Sequence, residues 1–178
     1  MADLEAGGVT VFTGDGKGKT TSALGESLCF WGEGKRVLVL QFIKGKSVYG
    51  EYLAAEKMAP GLTIKKLGLG FVRFATGETL KKHIEAARAA LEVARDNIVS
   101  GEYQLVVLDE ILYCIKFGLL QEADIVDLIK EKPPGTTLFI TGRGAPPAVT
   151  DCADRVIEAV NVKHPISRGV RAQKGIEF

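Results

Sequence analysis

The chain has 178 residues, of which 46% are hydrophobic and 25% charged, and its formal net charge is +1. This length and composition are typical of one globular domain with a sizeable core, so we expect a single domain over residues 1–178. A net charge this small gives no support for binding to nucleic acid or to an anionic membrane surface. No stretch approaches the roughly 18 apolar residues of a membrane span. We therefore expect neither nucleic acid nor membrane as a partner.

The three cysteines, Cys29, Cys114 and Cys152, stand far apart and form no CxxC pair. Their odd number argues against a disulfide framework. The first residues also lack the basic start and apolar stretch of a signal peptide. We expect reduced, mostly buried thiols in a cytoplasmic protein.

The first predicted strand, Val9–Thr13, leads into a glycine-rich loop and then into a helix from about Lys19 to Trp31. This order is typical of a phosphate-binding loop (P-loop), although Thr13 replaces the usual first glycine. Glycine lets backbone N–H groups turn toward phosphate oxygens, and a helix N-terminus adds further N–H groups. We expect Lys19 to reach the β- and γ-phosphates and the Thr20 hydroxyl to bind Mg²⁺. The candidate nucleotide-binding residues here are Gly14, Asp15, Gly16, Lys17, Gly18, Lys19, Thr20 and Thr21.

Strand and helix patterns alternate along the rest of the chain. Apolar residues from Leu80 to Ile98 recur at spacings of three and four, which predicts a long amphipathic helix, and a shorter helix is predicted over 122–130. A glycine-rich loop is predicted over 68–77. The further predicted strands are Val37–Phe42, Thr63–Leu67, Leu105–Leu108, Thr137–Thr141 and Arg155–Val160. This alternation predicts an α/β fold, a P-loop (RecA-like) parallel β-sheet with helices on both faces.

Ligands of parallel sheets bind beyond the carboxyl ends of the strands, so the polar residues that follow each strand should converge. Gln41 and Lys44 follow the second strand, Asp109 and Glu110 the fourth, and Arg143 the fifth. An acidic pair after an apolar strand has the form of a Walker B segment, whose carboxylate holds Mg²⁺ directly or through water. Thr20, Asp109 and Glu110 are the candidate metal ligands, and Lys19, Thr20 and Glu110 the candidate catalytic residues. The second acid fits two roles, positioning water for attack on phosphorus or organising Mg²⁺ and triphosphate for another transfer.

Several segments closely resemble the ATP:corrinoid adenosyltransferase family. They are the loop at residues 14–21, Gln41–Gly45, Leu108–Glu110, Thr141–Pro146 and the tail ending in Ala172–Phe178. The resemblance covers Val9 to Phe178 and implies transfer of the 5′-deoxyadenosyl group of ATP to the Co(I) centre of a corrinoid, with release of triphosphate. It implies a role in adenosylcobalamin biosynthesis or salvage, with ATP as co-substrate and Mg²⁺ or Mn²⁺ as cofactor. It also implies an external electron donor for Co(II) and a homodimer.

Members of the family displace the lower axial ligand of cobalt with aromatic side chains in a Gly-Phe-x-Trp segment. The matching segment here is Gly70-Phe71-Val72-Arg73-Phe74. Phe71 corresponds to the first aromatic residue, Arg73 stands where the family has Trp, and Phe74 offers a ring one position later. The resemblance therefore makes Phe71 and Phe74 candidate corrinoid contacts.

Two other functions fit the same residues. A P-loop ATPase or kinase acting at the γ-phosphate would release ADP, whereas the adenosyltransferase would release triphosphate. A corrinoid carrier without turnover would account for Arg73 in the Trp position, but it would have no need for a full triphosphate and metal site.

Overall fold

The computed structural model describes residues 7–45, 50–70, 72–163 and 169. Within these residues six strands form one sheet in the order β3-β2-β4-β5-β1-β6, and each pair of neighbours runs parallel. The strands are β1 Val9–Thr13, β2 Val37–Gln41, β3 Leu62–Lys66, β4 Leu105–Asp109, β5 Thr137–Thr141 and β6 Arg155–Glu158.

Helices cover both faces of this sheet. They are α1 Lys19–Gly32, α2 Gly50–Met58, α3 Gly77–Val99, α4 Ile111–Lys116, α5 Glu122–Glu131 and α6 Pro147–Thr150. Side chains of neighbouring strand residues point to opposite faces. Val37 and Val39 accordingly lie in the core beneath α1 and α2, while Leu38 and Leu40 lie in the core beneath α3 and α5. An all-apolar strand is thereby buried on both sides, and the predicted α/β fold with a parallel sheet is confirmed.

The predicted strands and the three predicted helices all occur, with ends shifted by a few residues; β6, for example, ends at Glu158 rather than Val160. Helices α2, α4 and α6 were not predicted. The last two span only six and four residues, too short to show a helical repeat. Helix α2 was missed because its sequence carries no apolar stripe, and Ala55 is its only buried residue.

The cysteines are free thiols, but the expectation that they are mostly buried is wrong for Cys29, which is exposed on α1; only Cys114 is fully buried. Across the residues that the structure describes, no helix combines the length and apolar character needed to cross a membrane.

Candidate nucleotide site at the carboxyl edge of the sheet

The loop between β1 and α1 is fixed against the end of β6. Gly14 has a φ of 92°, and a Cβ added there would lie 2.4 Å from the carbonyl oxygen of Ala159. The Gly16 N–H donates a hydrogen bond of 2.7 Å to the same oxygen. In this structure the Gly16 N–H therefore secures the loop to the sheet, whereas the sequence analysis expected the loop glycines to turn their N–H groups toward phosphate. Glycine is required at position 14, where a side chain would meet backbone.

Lys19, the first residue of α1, lies back across this loop. Its Nζ donates to the carbonyl oxygens of Gly14, at 2.8 Å, and Gly16, at 2.5 Å. Burial is the largest influence on the Lys19 pKa and lowers it; the charge of Arg143 acts in the same direction, while Asp15 and Glu110 act against it. The ammonium is thus held at the mouth of the loop.

The N-terminus of α1 adds backbone donors at the same place. Gly18 precedes the helix with a φ of 114°, and within the described residues no side chain caps it. The first N–H groups of a helix have no partner inside it, and they carry partial positive charge. A cation and a set of backbone amides therefore lie side by side, which is the combination that binds phosphate groups.

Asp109, at the end of β4, is the centre of the polar network. It is fully buried, and its Oδ1 accepts hydrogen bonds from the hydroxyls of Thr20 at 2.7 Å and Thr141 at 2.8 Å. Its Oδ2 accepts one from Gln41 Nε2 at 3.2 Å and lies 3.9 Å from Lys44 Nζ. A buried carboxylate needs such donors, since its unpaired charge would be costly. Residues predicted after β1, β2 and β4 are thus brought together, and Thr141 at the end of β5 joins them.

Glu110, the next residue, has an unusual backbone conformation. Its φ is 63°, the left-handed region that non-glycine residues rarely occupy, and its N–H donates to Thr141 Oγ1 at 2.9 Å. Burial, followed by the neighbouring charge of Asp109, raises the Glu110 pKa to about 7. The two acids therefore differ: Asp109 is paired on every side, whereas Glu110 binds a proton near neutral pH.

Glu51, which the sequence analysis did not single out, also belongs to this site. Its Oε1 lies 2.5 Å from Lys44 Nζ. Glu51 is in the first turn of α2, the helix that was not predicted. Acidic residues are common in the first turn of helices, so the sequence offered no distinctive signal. Close by, the buried Oε1 of Gln41 has no hydrogen-bond partner among the described residues.

Other predicted residues lie further out. Arg143 and Asp15 form an ion pair of 3.5 Å, and both side chains are well exposed. Lys17 and Thr21 are also exposed. Phe74 is 88% exposed, with the guanidinium of Arg73 5.6 Å from its ring centre. Phe71 and the tail segment 170–178 fall outside the described residues.

The oxygen atoms around Asp109 suit Mg²⁺ or Mn²⁺. No cluster of three or more His, Cys, Asp or Glu able to hold a metal occurs in the described part of the chain. Mg²⁺ commonly binds through one or two carboxylates, with phosphate and water oxygens completing its shell. The Thr20 hydroxyl and the Asp109 carboxylate, 2.7 Å apart, match that pattern.

A parallel α/β sheet with a glycine-rich loop after β1 and a buried acid after β4 is consistent with the P-loop class of nucleotide-binding proteins. Comparison with known families is more specific. The family model described as ATP:corrinoid adenosyltransferase BtuR/CobO/CobP matches residues 5–178, and the chain belongs to this family.

Individual relatives agree with that assignment. The chain is 37% identical to a corrinoid adenosyltransferase of Pseudomonas aeruginosa over 98% of its own length and 85% of the relative's. It is 36% identical to the corrinoid adenosyltransferase of Escherichia coli, and to corrinoid adenosyltransferase CobA of Salmonella typhimurium, over 100% of its length and 89% of theirs. The predicted family and class of enzyme are confirmed.

Proposed function

We propose that this protein transfers the 5′-deoxyadenosyl group of ATP to the Co(I) centre of a corrinoid and releases inorganic triphosphate, in adenosylcobalamin biosynthesis or salvage. The observation that carries the proposal is the contact between the two halves of the site. Thr20, directly after Lys19 at the start of α1, donates its hydroxyl hydrogen to the buried Asp109 at the end of β4. Family membership over nearly the whole chain supports the reaction, and this contact supports a triphosphate site beside it.

The proposed reaction requires little acid–base catalysis from the protein. Co(I) of the substrate supplies the electron pair for the new cobalt–carbon bond at C5′, and the C5′–oxygen bond breaks with its pair left on triphosphate. Cobalt is thereby oxidised to Co(III), and no proton moves. The protein must hold C5′ against cobalt and stabilise the negative charge that develops on the leaving triphosphate.

The described residues support the second requirement, the stabilisation of charge on the triphosphate. In this proposal Lys19 exchanges its bonds to the Gly14 and Gly16 carbonyls for phosphate oxygens, and the first amides of α1 add donors. Gln41 and Lys44 line the same site from the end of β2, and Arg143 lies at its exposed rim. Removing one such donor from an enzyme site typically costs about 100- to 1,000-fold in rate.

Magnesium or manganese belongs to the proposal, with Thr20 and Asp109 as its protein ligands, directly or through water. When bound, the ion would neutralise negative charge on the triphosphate. The pKa of Glu110 is raised to about 7, so a proton competes with a metal ion for this carboxylate near neutral pH. We therefore assign Asp109 as the first carboxylate ligand and Glu110 as the second acid of the site, facing the groups bound to the metal and the charge of Lys19.

Phe71 and Phe74 are the proposed corrinoid contacts. Phe74 is highly exposed, so covering its ring with a large planar ligand would be favourable because apolar surface is removed from water. The homodimer, the cytoplasmic location and an external electron donor for Co(II) also remain part of the proposal, on the strength of the family resemblance. Sedimentation analysis of the purified protein tests the homodimer.

The reaction is tested under anaerobic conditions with ATP, Mg²⁺ and chemically reduced cobalamin, following the corrinoid absorbance and identifying the phosphate released. Adenosylcobalamin with triphosphate is the expected result. Phosphate and ADP without adenosylcobalamin would instead support action at the γ-phosphate. Binding of both substrates without either product, with cobinamide tried as well, would support a carrier.

A further inference from the structure

The ion pair between Lys44 and Glu51 connects two elements at the edge of the nucleotide site. Lys44 follows β2, and Glu51 lies in the first turn of α2. Their charged atoms are 2.5 Å apart, and the side chains are only 17% and 24% exposed. A charge-assisted hydrogen bond that is largely shielded from water is stronger than an exposed surface pair. Glu51 therefore anchors the Lys44 ammonium.

Lys44 has a second acidic neighbour on its other side. Asp109 Oδ2 lies 3.9 Å from Lys44 Nζ, within ion-pair range but beyond a hydrogen bond. Burial alone would lower the pKa of Lys44, but the charge of Asp109 and the hydrogen bond and charge of Glu51 outweigh it and raise the pKa. The ammonium is accordingly held between two carboxylates and is hydrogen-bonded to Glu51.

Glu51 is itself held firmly. Burial would raise the pKa of Glu51, but hydrogen bonds from Lys44 and from its own backbone amide lower it, and one from Gln41 acts in the same direction. Since α2 begins at Gly50, the carboxylate also lies where the helix dipole favours negative charge. A charged, anchored Glu51 is suited to orient a flexible lysine.

If Glu51 were removed, Asp109 would be the closest remaining carboxylate in the contacts described for Lys44. The ammonium would then shift toward Asp109, a charge already satisfied by Thr20, Thr141 and Gln41. That shift would move the ammonium from the position in which Glu51 holds it. It would also place a competing cation on the carboxylate proposed to serve the metal.

We infer that Glu51 is a positioning residue that holds the Lys44 ammonium apart from Asp109, where Lys44 acts as a second cation for the triphosphate of ATP. This inference rests on the proposed function, because it assigns Lys44 to the triphosphate that leaves. In this inference Glu51 acts through Lys44 and not directly on a reacting atom.

The test compares Glu51→Met, which removes the charge and the acceptor at similar length, with Glu51→Asp, which restores the charge. Glu56→Met is the matched control, since Glu56 is an exposed residue of the same helix. Inorganic tripolyphosphate is the probe, and its Kd is measured by calorimetry without corrinoid. The kcat and the KM for ATP are measured separately by adenosylcobalamin formation.

We expect Glu51→Met to weaken tripolyphosphate binding about tenfold and to lower kcat, because one charge-assisted contact to phosphate is misplaced. Glu51→Asp should recover part of the loss, and Glu56→Met should match the unmodified protein. In a Lys44→Met background, Glu51→Met should add almost nothing, since a residue that acts through another is non-additive with it.

Equal losses from Glu51→Met in both backgrounds would overturn the inference, because Glu51 would then act independently of Lys44. Tripolyphosphate affinity equal to that of the Glu56→Met control, or no binding by the unmodified protein, would overturn it as well. Failure of the proposed function is distinguishable: tripolyphosphate would bind and respond to Glu51 while adenosylcobalamin did not form.

Discussion

Replacing Glu110 by Gln should stabilise the protein at alkaline pH. The Glu110 pKa rises from its usual 4.5 to about 7 on folding, through burial and the charge of Asp109. The folded state therefore holds the proton more tightly than the unfolded state, and ionising Glu110 destabilises the fold. A difference of 2.5 pKa units, taken at 1.36 kcal/mol each, corresponds to about 3 kcal/mol. Gln is neutral at every pH and avoids this cost.

The pH dependence of the stability difference between the two proteins follows from the pKa values of Glu110 in the unfolded and folded states. Below pH 4.5 Glu110 is protonated in both states, so the two proteins should have similar free energies of unfolding. As the pH rises from about 4.5 to 7 the unmodified protein loses stability relative to the Glu110→Gln variant, and above pH 7 the gap should stay near its full value. Both proteins keep the positive φ at residue 110, so backbone strain cancels.

The assay is urea unfolding of both proteins at several pH values between 4.5 and 8, without nucleotide or divalent cations. Glu85→Gln, an exposed glutamate of α3, is the control, and it should change stability by a small amount independent of pH. A stability gap between Glu110→Gln and the unmodified protein that stayed constant across this range, or a variant less stable than the unmodified protein at pH 8, would contradict this prediction.

Three further predictions concern the loop between β1 and α1 and the buried Asp109. Lys19→Ala should lower kcat at least about 100-fold with little change in unfolding free energy, measured by steady-state kinetics and urea unfolding; near-normal rates would contradict the placement of the triphosphate. Thr141→Val should destabilise the protein by about 1–3 kcal/mol, because it removes a donor to the buried Asp109, and Thr141→Ser should restore most of that loss in urea unfolding. Gly16→Ala should raise the KM for ATP, because its Cβ would lie 2.7 Å from the Ala159 carbonyl oxygen; an unchanged KM would show that the loop does not need this contact.

Much of the fold was predictable because its signals are local. The glycine-rich loop, the apolar strands and the Leu80–Ile98 stripe each lie within one short stretch of sequence. The order of strands was not predictable, because it depends on pairing between distant segments. Only the structure shows that β5 lies between β4 and β1, which places the Thr141 hydroxyl between Asp109 and the Glu110 amide.

In the candidate site, too, some features were predictable from local sequence and others depended on distant segments. That Thr20, Gln41 and Asp109 would meet followed from their positions at strand ends or in the segment directly after a strand. The direction of the Gly16 amide did not, because its partner Ala159 is remote in sequence. Glu51 was missed because the helix that carries it has no apolar stripe, so an acid in its first turn looked like ordinary surface.

In the proposed reaction this protein makes its new bond at C5′ of ATP. This assignment is tested most directly by incubating the protein, under anaerobic conditions, with reduced cobalamin and ATP labelled with carbon-13 at C5′. We predict that the label appears in the carbon bonded to cobalt, together with one equivalent of triphosphate. Label recovered only in ADP would contradict it and would place the reaction at the γ-phosphate.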